Sequence, residues 1–302
     1  MMRRSMFRTA IACIVILLCG CATRRVLFDD FNYAKPEDLQ SNGWIIRTEP
    51  GFPGVPGAKW GSDSISLIDD PQQPGNRLLR LNSVTDGTAA NTRQAQICHQ
   101  RKYFEGTYAA RVRFTDQPVW GPNGDEAVET FYMISPLKAP MDLDYSEMDF
   151  EYLPNGGWGA IGPTIFATTW ETFSPEPDWK ADNISANHAG PLAGWHTLVA
   201  TVGNNTVRYF MDGVPLAEHG GRFYPESLMS INFNLWFVRD HLLNVADVRR
   251  YEEDIDWVFY RAGRMLSPAQ VEADVADMRR RSMRFTDNVP APVPPLSSLC
   301  NF

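Results

Sequence analysis

Seven consecutive residues, Ser146-Glu147-Met148-Asp149-Phe150-Glu151-Tyr152, put a carboxylate at every second position with apolar side chains between them. A period of two belongs to a β-strand, so the stretch is predicted to have one acidic and one apolar face. Three closely spaced carboxyls cannot all ionise, and their repulsion leaves a carboxylate beside a carboxylic acid near neutral pH. Hydrolysis of a glycosidic bond with retention needs that pair. One ionised group attacks the anomeric carbon and one protonated group donates to the leaving oxygen, about 5 to 5.5 Å away. The α-carbons of Glu147 and Glu151 would lie roughly 13 Å apart on a straight strand, so both side chains must lean inward over Asp149. An acidic strand face turned to bulk water shows the same alternation, and the flanking chain has to decide between the two.

The other stretch with a chemical face is Met229 to Val238, where Met229, Ile231, Phe233, Leu235 and Phe237 share one side and Asn232, Asn234 and Trp236 the other. Amides beside an aromatic platform suit a sugar cleft, and a partly covered outer sheet is the alternative. Trp120, Trp158, Trp170 and Trp179 are further candidate platforms, although any single tryptophan is more often core. The five histidines are scattered and no C-x-x-C pair exists, so nothing suggests zinc.

The run E-M-D-F-E resembles the E-x-D-x-E signature of glycoside hydrolase family 16, in the form without an extra residue before the last glutamate. Other stretches resemble that family too: G-T-Y-A-A-R-V-R from Gly106, G-W-H-T followed by R-Y-F-M-D-G, N-L-W at Asn234, and I-D-W-V-F-Y closing at Tyr260. Together they cover roughly residues 27 to 261. The resemblance implies a jelly-roll sandwich of two curved antiparallel sheets, with Glu147 as nucleophile, Asp149 assisting and Glu151 as acid/base. It implies an endo-acting, retaining hydrolase of a β-linked, β-glucan-like polysaccharide that needs no cofactor. A transglycosylase and a surface lectin on the same fold are the competing readings. Some members carry a structural calcium, for which Asp256 is the one oxygen ligand available for nomination, where calcium takes six to eight.

The elements that must position these residues read as short strands between turn signals: Phe28 to Phe31, Trp44 to Arg47, Ser64 to Ile68, Arg77 to Leu81, Phe104 to Phe114, Val128 to Ile134, Thr164 to Trp170 and Val207 to Met211. Three prolines and three glycines between Pro50 and Gly57 predict a loop, and so does the long connection from Trp170 to Gly194. Ser267-Pro268 caps an amphipathic helix predicted over Ala269 to Arg281, and a proline-rich tail follows it.

At the N-terminus, Arg3, Arg4 and Arg8 precede the apolar run Ala10 to Leu18 and the sequence Leu18-Cys19-Gly20-Cys21. This resembles a bacterial lipoprotein signal, with residues 1–20 removed and Cys21 lipidated; an ordinary cleaved signal peptide is the alternative. The expected organisation is therefore a signal over 1–20, one β-jelly-roll domain over 21–265 and a helix with tail over 266–302. Removing residues 1–20 leaves 25 basic against 36 acidic residues, which argues against nucleic acid as a partner. The expected protein is a monomer in the cell envelope, held to a membrane by lipid alone. Cys98 and Cys300 are then the two mature thiols besides Cys21. In an oxidising compartment they could pair, or they could stay free.

Overall fold

The computed structural model describes residues 24–175, 178–297 and Cys300. The expected signal and lipidation residues, Cys21 included, lie outside them. In chain order the strands are β1 (Val26–Asp29), β2 (Ile45–Ile46), β3 (Lys59–Trp60), β4 (Ile65–Asp69), β5 (Arg77–Thr85) and β6 (Arg93–Cys98). Next come β7 (Gly106–Phe114), β8 (Ala127–Ile134), β9 (Glu147–Leu153), β10 (Thr164–Ser174), β11 (Lys180–Ala189) and β12 (Gly194–Gly203). The last are β13 (Thr206–Met211), β14 (Val214–Gly220), β15 (Ser230–Phe237), β16 (Arg249–Ala262) and β17 (Phe285–Asp287), with helices α1 (Glu37–Ser41) and α2 (Pro268–Arg280).

Two antiparallel layers result, as expected for a jelly roll. The front layer runs β2–β6–β15–β8–β9–β10–β11. The back layer runs β14–β13–β12–β7–β16, and the long β16 pairs along its first half with β5 and along its second half with β1. Alternation fixes which side chains meet between the layers. Met148, Phe150 and Tyr152 of β9 join Ile231, Phe233 and Leu235 of β15 and Ala110, Val112 and Phe114 of β7 in one buried cluster. Every carboxylate of β9 therefore points to the opposite, front face.

One expectation changes. The connection from Trp170 to Gly194 is not a loop: β10 continues to Ser174 past a bulge between Trp170 and Thr172, and β11 pairs with it along ten residues. Its residues K-A-D-N-I-S-A-N-H-A carry too few apolar side chains to announce a strand, and pairing along its whole length makes it one. The C-terminal segment packs against the sandwich. Helix α2 starts at a capping box of Ser267 and Gln270 and buries Val271 and Val275 against Phe28, Trp257 and Phe259 on the outside of the back layer. Beyond it β17 pairs with β1, and Cys300 is disulfide-bonded to Cys98 on β6, with α-carbons 5.4 Å apart.

Between the layers the core also holds two acids, Glu129 of β8 and Glu253 of β16, both fully buried. Burial first, and each other's proximity second for Glu253, raise its proton affinity well above the ordinary value; Glu129 is raised likewise, against donation from Thr115. An acid whose folded pKa is raised contributes nothing unfavourable below the unfolded pKa of 4.5. Each pH unit above it then costs about 1.4 kcal/mol until the folded group ionises. Glu253→Gln keeps the shape and removes this cost, so at pH 7 the variant is expected to be more stable by about 1–3 kcal/mol, with little difference at pH 4.5. Urea unfolding at the two pH values checks this, and parallel losses in parent and variant would refute it.

Candidate active site

The strand register sets the site. Across β10, Trp170 lies opposite Glu147, Thr168 opposite Asp149 and Phe166 opposite Glu151. Across β8 the partners are Ile134, Tyr132 and Thr130. Glu147 and Glu151 are partly open to solvent, while Asp149 between them is 3% exposed.

Hydrogen bonds then make the three acids unequal. The Tyr145 hydroxyl donates to Glu147 Oε2, the Trp170 indole donates to Asp149 Oδ2 at 2.7 Å, and the Asp149 carboxyl donates to Glu147. No donor reaches Glu151 among the described residues. Burial raises all three proton affinities. Glu147, which two donors favour as a carboxylate, rises to about 7. Asp149 is pushed well above the ordinary range by burial and then by the charges of Glu147 and Glu151. Glu151 is pushed well above it by burial and then by Glu147. Near neutrality the trio holds one carboxylate at Glu147 and retained protons at Asp149 and Glu151. That is an attacking oxygen at one end of the row and a proton donor at the other.

The nominated sugar-binding residues divide. Asn232 and Asn234 are a correction, being 0% and 3% exposed. Asn232 donates to Ser230 Oγ, and Asn234 is tied to Thr130 and to the Tyr132 hydroxyl. Tyr132 accepts in turn from Gln96, whose amide oxygen takes a hydrogen bond from the buried Arg47 guanidinium, itself 3.9 Å above the Trp60 ring. Thr130 and Tyr132, far away in sequence, hold Asn234, and Asn232 is sealed from solvent with its side-chain oxygen unpaired, so neither is open to a sugar. Trp236 is buried in a cluster with Trp60, Val128, Leu153 and Phe166, so it supports a platform rather than being one. Trp158 lies over it, with ring centroids 6.4 Å apart, and is exposed. Trp170 holds Asp149, and Trp179, also exposed, stands 6.2 Å from Trp170. Trp120 is 68% exposed and pairs with Arg250 of β16, outside the front layer.

Asp256, the nominee for calcium, takes hydrogen bonds from Arg279 and Asn76 and an ion pair from Arg111. Among the described residues no group of three or more His, Cys, Asp or Glu is arranged to hold a metal ion. A positive guanidinium thus stands where a cation would have to bind Asp256. Tyr145 and Arg47 went unnoticed in the sequence. Tyr145 sits two residues before Glu147, and its position at the strand's entry is the one signal that could have found it.

Tyr145 is a positioning residue with a measurable effect. Its donation favours ionised Glu147, so Tyr145→Phe should move the Glu147 titration from about 7 to higher pH, by about half a unit or more. Carbon-13 NMR of glutamate-labelled protein reads this directly, and an unchanged titration would show that the hydroxyl does not act on Glu147.

No protein-family model matches the sequence, and no curated protein matches it. Solved structures do. The Bacillus licheniformis β-glucanase is 16% identical with TM-score 0.56, over 79% of this chain and 98% of that one. The Bacteroides ovatus mixed-linkage glucan GH16 protein, solved with a G4G4G3G product, is 18% identical with TM-score 0.58, over 76% and 98%. The κ-carrageenase of Pseudoalteromonas carrageenovora is 16% identical with TM-score 0.53, over 81% and 98%. Likeness at such identities is one of architecture, and by its architecture this chain has the jelly-roll fold of the glycoside hydrolase family 16 enzymes.

Proposed function

We propose that this chain is a retaining glycoside hydrolase of family 16 acting on a β-linked, β-glucan-like polysaccharide. The observation that carries the reading is the inequality within one row of carboxyls: Glu147 receives hydrogen bonds from Tyr145 and Asp149 that favour its charge, and among the described residues none reaches Glu151. In the first step a Glu147 oxygen bonds to the anomeric carbon as the glycosidic C–O bond breaks, and Glu151 passes its proton to the departing oxygen. In the second, Glu151 takes a proton from water, whose oxygen bonds to the anomeric carbon and releases Glu147. Asp149, held by Trp170, sets the proton affinity of both neighbours. Support for a β-glucan comes from neighbours of the same fold that are described as β-glucanases.

Activity requires ionised Glu147 and protonated Glu151. The value of kcat/KM should therefore rise through pH about 7 and fall at higher pH as Glu151 loses its proton. Glu147→Ala should abolish turnover, about 10⁴-fold or more, and added azide should restore cleavage with inverted product. Glu151→Ala should leave natural polysaccharide uncut yet still open substrates with an activated leaving group, without the alkaline limb. Asp149→Asn should keep measurable activity with a shifted acid limb. Rates on mixed-linkage glucan, laminarin and κ-carrageenan, with product anomers followed by NMR, test all three variants. If both glutamate variants cut what the parent cuts, the trio is not catalytic; if the parent binds these polysaccharides and cuts none, the lectin reading replaces this one.

The same proposal places the enzyme in the cell envelope with lipid on Cys21, for which Leu18-Cys19-Gly20-Cys21 is the motif. Cys21→Ser should move the protein from the membrane to the soluble fraction. Unchanged membrane fractionation would refute the anchor.

A further inference from the structure

The front face is not equally open on the two sides of the carboxylates. On the β8–β15 side, the six side chains in line with the trio are Thr130, Tyr132, Ile134, Ser230, Asn232 and Asn234, and none is more than 4% exposed. Closure therefore begins on the strand that adjoins β9.

Two segments of the chain close it. The first is the glycine- and proline-rich loop after β2. Arg47 Nη2 donates to the carbonyls of Gly51 and Phe52 at 2.9 and 3.0 Å, pinning the loop over Gln96. At Gly54, with φ of +102°, the backbone passes so near Gln94 that an added Cβ would meet its amide at 2.4 Å. The Phe52 ring then reaches Phe173 and Trp179, with centroids 6.2 and 6.1 Å away, beyond the catalytic strand. The second is Cys300, bonded to Cys98, the residue opposite Asn232. The cavity left among Cys300, Gln96, Tyr132 and Asn232 is about 10 Å³, room for one water and not for a sugar ring.

The β10–β11 side is the opposite. Asn183, Ser185 and Asn187 stand across Trp170, Thr168 and Phe166, so each lies in the same row as one carboxyl. The 2.8 Å contact between the Thr168 and Ser185 hydroxyls confirms that the two strands share this face. Ser185 and Asn187 are exposed and Asn183 is partly so. Two amides and a hydroxyl spaced along an open strand match the alternating donors and acceptors of sugar hydroxyls. They lie roughly 10 Å from β9, two strand spacings away, enough for a short run of sugar units.

We infer that the enzyme holds its glycan from one side only. The binding lane runs from the carboxylates over β10 to Asn183, Ser185 and Asn187, and the loop backbone pinned by Arg47 and the Cys300 clasp block the other side. Cleavage then falls near one end of a chain rather than at random interior bonds. The inference rests on the hydrolase reading and replaces its expected endo-action with cleavage near a chain end.

The test compares the parent with Arg47→Ala and Cys300→Ser on soluble mixed-linkage β-glucan, following viscosity against reducing ends and resolving the products by size. The parent should give a narrow set of short products from the first minutes, with little loss of viscosity per bond cut. Either variant should broaden the products and raise the viscosity loss per bond at least threefold. A broad ladder with a rapid fall in viscosity from the parent itself overturns the inference and leaves the hydrolase reading intact. Should the parent cut no glucan, the hydrolase reading fails, and binding to Glu147→Gln decides the lane. With cello- and laminari-oligosaccharides of two to eight units, affinity that stops rising by four units and drops tenfold in Asn187→Ala upholds one-sided binding. Affinity that keeps rising to eight units, or no binding, overturns it.

Discussion

Three carboxyl groups on one strand face, above an apolar core, cannot all carry charge, and the front layer is arranged around that constraint. Burial makes each charge costly and proximity makes the second and third costlier still. The surroundings resolve the conflict by supplying donors unevenly. Tyr145 and Asp149 serve Glu147, Trp170 serves Asp149, and among the described residues no donor serves Glu151. The result is a chemical polarity along seven residues of strand, and only donor placement separates the two glutamates. Such coupled groups release their protons as a set, so a substitution at one member is felt at the others.

That polarity is useful only while the row stays rigid, and the structure supports it from both ends. Tyr152, which closes the apolar face of β9, donates to Asp116, and Asp116 accepts from the Leu192 amide. At the loops beyond β8 and β15, Asp125 and Arg249 form a fully buried ion pair, and the same guanidinium donates to the carbonyls of Leu243, Val245 and Asp247. A buried pair of this kind adds little net stability, but removing either partner strands the other in the interior. Its role is to hold three loop carbonyls and a strand entrance in one arrangement beside the rim. On the back layer Asp254 binds Arg80 and Arg113 together, tying β16 to β5 and β7.

The sequence was readable wherever one face of an element is apolar and its signals are local. S-E-M-D-F-E-Y declares its strand because Met148, Phe150 and Tyr152 must go inward, and Ser267-Pro268 with Gln270 declares a helix start from four residues. What was not readable is what covers a polar face. Asn232 and Asn234 have the types and spacing of sugar ligands, yet these suit a sealed hydrogen-bond network equally well. The residues that seal them, Arg47 and Cys300, are far away along the chain. Arg93–Cys98 carries a period-two pattern whose outward glutamines are buried for the same non-local reason. The open strand Lys180–Ala189 failed as a strand prediction on the opposite ground: exposed on the front and thinly packed behind, it lacks the apolar repeat that marks a buried one.

The sequence separation of the clasp has a consequence in time. Cys98 lies on β6, early in the chain, and its partner follows 202 residues later. For a chain delivered from its N-terminus at about 5–20 residues per second, Cys98 waits roughly 10 to 40 s before Cys300 exists to meet it. Strands β8, β9 and β15 are all delivered within that interval. The thiol therefore stays on an assembling front face while the catalytic row takes shape beside it, open to small oxidants and to foreign thiols. A wrong partner captured by Cys98 would sit over Asn232, on the side of the face that the finished fold keeps closed.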